Sequence, residues 1–322
     1  MRWGEEDENV FARLGAPDDV TIGHGFVVRH FTNWYDEDFR RLGLHFSGRT
    51  SRFGGRTFSS SVGRWEVAGV RLWAEPFTGL RRPLPPCRMG LTMVTDFDPD
   101  SRTAKEDGIA VLAADADIPL ALDSAVSVAA AVDLATIMGH GWGGAMGLSG
   151  DFGRLAGVSG LKCRLERRFI GPDFMTEYVD AFYGVDRFVP AGDSGKADAL
   201  GGESGGGGWY GEVQGVLLGM VAFAAGCSRV QGRSRTGVPH VNMSPRPIRE
   251  RWEVRLSLNK ARIRQLRDIT RRDRPLLETT AGYRIRPWAW LCVRSRQTFE
   301  KQGAGYSPVS VVVPRISLSV TF

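Results

Sequence analysis

The sequence predicts an all-β fold: an antiparallel up-and-down β-barrel of about sixteen strands, within a range of about 14 to 18. Apolar and polar side chains alternate along many segments of about ten to fourteen residues. Turn-forming residues separate these segments, and no segment has the period of a long amphipathic helix. Such segments are longer than the roughly 5–6 residues of an average soluble strand. We therefore treat residues 1–322 as one barrel domain.

Strand candidates follow one another from Val20 to the middle of the chain. Their approximate bounds are 20–28, 41–47, 52–58, 65–74, 89–97, 109–116, 125–137, 142–152 and 158–169. A short turn is expected around Pro119, between two of them. An earlier stretch, Asn9 to Leu14, resembles part of a strand, and we expect it to precede the barrel or to have lost a pairing partner upstream.

A long irregular segment, residues 170–208, separates these strands from those of the second half. The later candidates are 209–217, 220–231, 238–244, 252–259, 277–286, 288–298 and 309–322. Connections between strands alternate in length when they are counted back from the C-terminus. Tight turns lie near Gly48, Pro119, Leu218, Arg246 and Pro287, whereas longer charged connections cover 32–38, 98–107, 170–208 and 267–274. The proline-rich stretch 81–86 is an exception, since the count places it among the tight turns.

The last seven residues alternate perfectly and end on an aromatic side chain. Their apolar members are Ile316, Leu318, Val320 and Phe322. This terminus, together with the strand pattern, resembles bacterial outer-membrane β-barrel proteins of the porin-like kind. The resemblance implies a transmembrane barrel in the outer membrane of a Gram-negative bacterium, with a periplasmic C-terminus and a passive transport function. It also implies two partners, the outer-membrane lipid and the assembly machinery that recognises the terminal residues.

Composition excludes helical membrane spans. No run of about 20 apolar residues occurs, and the mean hydropathy is −0.19. A barrel strand is not excluded on this ground, because only half of its residues are apolar. Residues 1–8 have neither the apolar core nor the cleavage site of a signal peptide. Because an exported barrel needs one, we expect this chain to lack its true beginning.

Charged side chains recur at the positions predicted to face inward. A barrel of 16–18 strands encloses water, in which charged walls remain hydrated and set ion preference. The basic residues at these positions are Arg41, Arg88, Lys162, Arg164, Arg168, Arg255, Arg284 and Arg286. The acidic ones are Asp133, Glu166, Glu212, Glu253 and Glu278. The excess of arginine favours small anionic solutes; alternatively, the charges pair across neighbouring strands and stiffen the wall.

The start of segment 170–208 is rich in aromatic and acidic residues. Three rings, Phe174, Tyr178 and Phe182, recur every four residues and are compatible with a short helix. The segment could fold into the lumen as a constriction, or form an external loop whose rings lie at the membrane interface. The candidate constriction residues are Asp173, Phe174, Glu177, Tyr178, Asp180, Phe182 and Tyr183.

Other functions have less support in the sequence. Two Gly-His-Gly tripeptides, centred on His24 and His140, could supply the general base of an outer-membrane hydrolase, but no accompanying serine and acid can be identified. The 5 histidines and 4 cysteines show no metal-ligand spacing, so we expect no metal or other cofactor. The arginines are spread rather than clustered, so we expect no nucleic-acid partner. A non-conducting barrel for adhesion or scaffolding and a soluble β-sandwich or β-helix remain alternatives, and the oligomeric state is open.

Overall fold

The computed structural model describes most of the chain. The described residues are 1–4, 8–15, 17, 19–33, 42–63, 66–77, 87–99, 108–122, 126–155, 157–187, 195–231, 238–245, 251–260, 275–302 and 305–320. Most of these residues are in strands. In the described part of the chain, one short α-helix, α1, covers Tyr183–Arg187, and one 3-10 turn covers Leu200–Gly202. Within the described residues, no helix is long and apolar enough to cross a membrane.

Nineteen strands are numbered in chain order. The first half comprises β1 (Arg2–Trp3), β2 (Val10–Gly15), β3 (Val20–Ile22), β4 (Val28–Phe31), β5 (Gly43–Arg49), β6 (Phe53–Ser59), β7 (Val67–Ala74), β8 (Arg88–Asp96), β9 (Ile109–Leu122) and β10 (Val126–Ile137). The second half comprises β11 (Trp142–Leu155), β12 (Val158–Ile170), β13 (Gly206–Leu217), β14 (Val221–Val230), β15 (Val238–Pro245), β16 (Trp252–Lys260), β17 (Pro275–Arg286), β18 (Ala289–Gln302) and β19 (Gly305–Val320).

All strands except β3 and β4 belong to one sheet of 17 strands. From β5 to β19 each strand pairs antiparallel with the next in sequence, and β2 pairs with β5. The two-residue β1 joins the ends, because it pairs antiparallel with β2 and parallel with β19. Without β1, sixteen antiparallel strands form an up-and-down sheet that is nearly closed into a barrel. The predicted fold class and strand number are therefore confirmed.

One predicted barrel strand is wrong. Residues 20–28 do not join the wall but belong to a separate two-stranded hairpin of β3 and β4. The place in the wall is taken by β2, the stretch predicted to lie before the barrel, which pairs with β5 from Val10 to Gly15. Strands β3 and β4 have 3 and 4 residues, well below the roughly 9–11 needed to cross a bilayer. Two glycines with positive φ, Gly23 and Gly25, turn the chain between them.

The turn predicted at Pro119 is also wrong. Pro119 lies inside β9, which extends to Leu122 and pairs with β10 on both sides of Pro119. The register between these strands shifts at Val128 and Ala129, and Ala129 is the partner of Pro119. A bulge leaves a residue outside the regular ladder, so the strand tolerates a residue without an N–H at that point.

The two faces of the wall have opposite chemistry. On β12, Arg168 is fully buried and Glu166 is 1% exposed, whereas Leu165, the residue before Glu166, is 57% exposed. The same alternation runs around the barrel, so the outer face carries large apolar side chains with more than half of their surface exposed. These include Leu72, Leu91, Leu134, Met146, Leu148, Leu165 and Ile316. A soluble protein has the inverse arrangement, with apolar side chains inside and charges outside.

The C-terminal strand follows this rule as far as it is described. Ile316 is 70% exposed, while Val313, on the other face of β19, is buried. Leu318 pairs with Ala289 on β18 and shares the face of Ile316. The side chains of Val320 and Phe322 lie outside the described residues, as does Arg41 among the predicted lumen residues.

Candidate functional site: the barrel lumen

Two segments from the same end of the barrel fold into its lumen. One is the hairpin of β3 and β4 with its flanks (residues 19–33), and the other is the described part of the connection between β12 and β13 (171–187 and 195–205). Both connect strands at the end opposite the C-terminus. The backbone joins them, because Val28 bridges Val179 and the Glu177 amide donates to the Phe26 carbonyl at 2.8 Å. We call the two segments together the luminal plug.

The interior of the luminal plug is a hydrophobic cluster. Phe26 of the hairpin stacks on Phe174 of the long segment, with ring centroids 5.8 Å apart. Other members of the cluster belong to the wall. The buried apolar residues include Val20, Ile22, Phe26, Val28, Phe31, Phe58, Val94, Val111, Ile137, Phe174, Tyr178, Val179, Tyr183 and Leu200. Buried apolar side chains that pack against one another leave little room for water between them.

The predicted constriction residues lie in the luminal plug. Phe174, Tyr178, Phe182 and Tyr183 are all buried, at 0%, 2%, 7% and 1% exposure. The helix that their spacing allowed does not span them, since α1 begins only at Tyr183. The rings therefore come from an irregular chain that is buried by the surrounding wall, rather than from one face of a helix.

An ion-pair network attaches the plug to β12 and β13. Arg168 Nη1 lies 2.9 Å from Glu177 Oε1 in the plug, and Arg168 Nε lies 3.1 Å from Glu166 Oε2 on its own strand. Arg29 of the hairpin lies 3.2 Å from both Glu177 and Glu212. Every one of these charges has at least one opposite partner. A buried charge is tolerated when it is paired and hydrogen-bonded in this way.

His24 attaches the tip of the hairpin to β9 and β10. Its Nδ1 lies 3.0 Å from Asp133, and its Nε2 lies 2.9 Å from Asp117. Burial disfavours the imidazolium, but hydrogen bonds to the two carboxylates outweigh burial and raise the pKa of His24 to about 9. The ring is therefore charged at neutral pH and bridges two acidic side chains of the wall.

The long segment is attached at a third place, next to β8. Arg187 at the end of α1 lies 3.0 Å from Glu66 and 2.9 Å from Asp96. The Tyr183 hydroxyl also donates to Asp96. Burial and the nearby carboxylate hold the pKa of Tyr183 well above its usual value, so the hydroxyl keeps its proton.

Contacts of the plug reach both sides of the barrel. Phe31 packs against Phe58 on β6, with ring centroids 5.4 Å apart. On the other side, Phe182 forms a second buried cluster with Leu276 on β17. The plug therefore crosses the lumen from β6 to β17 at the end of the long connections.

The opposite half of the lumen is open. Exposure of the inward side chains of β12 rises along the strand: Arg168 0%, Glu166 2%, Arg164 17% and Lys162 56%. Lys162 is 3.9 Å from Asp151, which is itself 47% exposed. These four residues share one face of β12, so the rise in side-chain exposure shows how far the plug extends along the strand.

A cavity of about 240 Å³ lies under the hairpin tip on this open side. Arginines and the hairpin histidine form much of its wall. The lining residues are Glu8, Gly23, His24, Ser47, Gly48, Arg49, Arg56, Arg71, Trp73, Arg88 and Asp117. Two of the arginines have acidic partners, since Arg71 binds Asp115 and Arg88 lies 2.6 Å from Glu75.

Several other residues predicted to line the lumen form pairs along or across strands. Arg255 lies 2.5 Å from Glu253 two residues away on β16. Glu278 on β17 is paired with Arg294 on β18, a residue that sequence reasoning did not select. Arg284 donates to the Pro287 carbonyl at 2.9 Å, and Arg286 lies in an exposed position at the end of β17. For part of the predicted lumen residues, pairing with neighbouring side chains thus explains the charges as well as hydration in a water-filled lumen does.

The hydrolase alternative required a histidine beside a serine. Both ring nitrogens of His24 are occupied by carboxylates, so neither is available to accept a proton from a hydroxyl. His140 lies in an exposed turn after β10. Within the described part of the chain, neither histidine forms the predicted arrangement.

No protein-family model matches the chain, and no curated protein matches it. Sequence reasoning missed the hairpin as a luminal element and missed His30 and His240, which the hairpin brings together with Glu212, a residue predicted to face inward. One feature of the sequence could have identified the hairpin: the alternation of apolar and polar residues is short and is interrupted around Gly23 and Gly25.

Proposed function

We propose that the protein is an outer-membrane β-barrel that acts as a porin-like channel restricted by its luminal plug. The observation that supports a membrane location is the polarity of the wall, which has buried charges on its inner face and exposed apolar side chains on its outer face. An aqueous exterior would make this apolar belt unfavourable at about 25 cal/mol for each Å² exposed. A hydrocarbon exterior removes that penalty.

Tryptophans near the strand ends support the same location. Trp142 and Trp209 lie at the end of the long connections and are 60% and 48% exposed. Trp3, Trp252 and Trp288 lie at the opposite end and are 55%, 52% and 56% exposed. Tryptophan prefers the interface between hydrocarbon and water, and two such groups on opposite rims are typical of outer-membrane barrels.

Orientation and partners follow from the proposal. The C-terminal end of the barrel faces the periplasm, and the connections that give rise to the plug begin on the external side. Outer-membrane lipid contacts the apolar belt, and the barrel-assembly machinery recognises the terminal strand. We propose no catalytic activity, because the histidine at the lumen is bound by two carboxylates.

A restricted channel accounts for the two different halves of the lumen. The external half is filled by the plug, whereas the periplasmic half keeps half-exposed charges such as Lys162 and Arg255. Solutes that enter from the periplasmic side reach the cavity under His24 and meet Arg49 and Arg56. This wall favours small anions, although Asp117 and Glu8 moderate the preference.

The second candidate is a non-conducting barrel with a structural or adhesive role. The specific observation in its favour is that the plug packs through two hydrophobic clusters, one that includes Phe58 on β6 and one that joins Phe182 to Leu276 on β17. Ions cannot cross packed apolar side chains, so conduction requires that the plug move or that a polar path pass beside it.

Single-channel recording in a planar bilayer distinguishes the two candidates. The refolded full chain is compared with Arg168→Ala, which removes the central attachment of the plug. A channel gives small anion-selective steps that increase in the variant. Absence of conductance in both proteins, with heat-modifiable mobility on gels showing a folded barrel, supports the non-conducting candidate. A chain that stays monodisperse without detergent contradicts the membrane location itself.

A further inference from the structure

We infer that the luminal hairpin and the wall together form a binding site for a divalent transition-metal ion of the zinc type. The ligands are His30 on β4, Glu212 on β13 and His240 on β15. One potential ligand atom from each of them lies within 4.8 Å of the others. The three residues come from distant parts of the chain and meet only because the hairpin enters the lumen.

Two imidazole nitrogens at this place are buried without hydrogen-bond partners. Among the described residues, neither His30 Nε2 nor His240 Nε2 has one. The side chain of His240 is only 2% exposed. A buried polar atom without a partner destabilises the folded chain, and a metal ion is one species that removes this penalty at two imidazoles simultaneously.

The distances suit tetrahedral coordination. Zinc binds imidazole nitrogen at about 2.0–2.1 Å and carboxylate oxygen at about 2.0–2.2 Å, which places tetrahedral ligand atoms roughly 3.4 Å apart. His240 Nε2 lies 3.5 Å from Glu212 Oε2, which is too long for a strong hydrogen bond but suits two ligands of one ion. His30 then needs to approach by about 1.4 Å at most.

Asp19 holds His30 in the orientation that a metal ligand needs. The Nδ1 of His30 is bound to Asp19, so Nε2 is the nitrogen that carries the free lone pair. Asn242 in turn donates to Asp19 at 3.4 Å. A carboxylate behind a histidine is the usual support of a metal-binding imidazole.

Backbone strain occurs at the same residues. Both Asp19 and His30 have positive φ, at 56° and 53°, a conformation that costs a non-glycine residue free energy. The His30 ring lies against the His240 ring, with ring centroids 4.2 Å apart and planes inclined at 52°. Strain of this kind persists where the surrounding structure requires a side chain in one position.

Arg29 is the main neighbour that disfavours a bound cation, but its positive charge is shared between two carboxylates. It lies 3.2 Å from Glu212 Oε2, but it is equally close to Glu177. Oε2 of Glu212, the oxygen that lies 3.5 Å from His240, also receives the hydrogen bonds from Tyr210 and Arg29, and Oε1 receives neither of them. Three protein ligands leave a fourth position for water or a luminal solute. The ion would attach the hairpin to two wall strands.

Zinc titration of the untagged, refolded full chain in detergent tests the site. After chelator treatment, isothermal titration calorimetry is expected to give one Zn²⁺ per chain, and Co²⁺ is expected to give the visible absorption of tetrahedral coordination. His240→Ala abolishes both signals. His140→Ala, which alters an exposed turn, leaves them unchanged. Asp19→Asn lowers the affinity by roughly 10–100-fold without removing the ligands.

Heat-modifiable mobility shows whether each variant is folded. If His240→Ala does not fold, His30→Gln provides the same comparison from the hairpin side. The inference is overturned by the absence of saturable Zn²⁺ binding to the folded parent. It is equally overturned by binding that persists undiminished in a folded His240→Ala or His30→Gln variant.

Discussion

Arg168 and Glu177 form the central link between the barrel wall and the luminal plug. Their side chains meet at 2.9 Å, and both are almost completely buried, at 0% and 6% exposure. Arg168 also contacts Glu166 and the Ser228 hydroxyl, so one guanidinium connects β12, β14 and the plug. The plug is therefore held to the wall by directional charge pairs as well as by apolar packing.

Replacement of Arg168 by alanine is expected to release the plug. The change leaves Glu166 and Glu177 buried without their main cationic partner, and breaking such a pair costs about 3–5 kcal/mol. Limited trypsin digestion with mass spectrometry should show faster cleavage after Arg29, which lies in the hairpin. Lys162→Ala is the matched control, because Lys162 shares the strand and face of Arg168 but is 56% exposed. Equal cleavage rates in the two folded variants would contradict the anchoring role.

The hairpin tip is expected to detach at alkaline pH. Because the pKa of His24 rises from 6.5 to about 9 in the folded chain, its ion pairs contribute in full below pH 6.5 and are lost as pH rises through about 9. The shift corresponds to roughly 3 kcal/mol. Conductance, or trypsin cleavage after a brief alkaline exposure, should therefore increase near pH 9. His24→Gln should remove this step, whereas His140→Ala should keep it. A step that survives in His24→Gln shows that another group titrates.

Alternation of side chains predicted most of the wall, although it wrongly included residues 20–28 and left out β2. On β12 it placed Lys162, Arg164, Glu166 and Arg168 on one face and Leu165 on the other, and the structure has the same faces. A strand between water and hydrocarbon must alternate, so the pattern records the surroundings directly. The β3–β4 hairpin has the same local pattern but is buried inside the lumen, where alternation carries no information about which face meets lipid.

The partners of the plug could not be predicted from the sequence. His24 is 109 residues from Asp133 and Arg29 is 183 residues from Glu212, so no local spacing relates them. Each pair forms because the hairpin folds back into a barrel that later strands complete. Charge and parity identified Asp133 and Glu212 as inward-facing, but only the fold determines which cation each of them meets.

Apolar packing within the plug gives a separate prediction. Phe174→Ala removes a ring that is 0% exposed and stacked on Phe26, and such a truncation costs about 3–5 kcal/mol. The plug should become more accessible to protease while the wall stays folded, because Phe174 belongs to the connection between strands. Phe169→Ala is the control, since Phe169 is 44% exposed on β12 and lies outside the plug. Protease resistance equal to that of the control would show that the cluster does not hold the plug.

The outer face gives the most direct test of the membrane location. Leu148, on β11, is 54% exposed and lies near the middle of the strand. In a bilayer, Leu148→Arg places a charge near the hydrocarbon midplane and should lower the free energy of unfolding by about 2–4 kcal/mol. If the barrel were soluble, the same surface substitution would change it by about 0.5 kcal/mol or less. Ser257→Arg, on the inward face of β16, is the control and should be tolerated. Equilibrium unfolding by guanidinium from lipid vesicles measures both variants, and equal small effects would contradict a lipid-facing exterior.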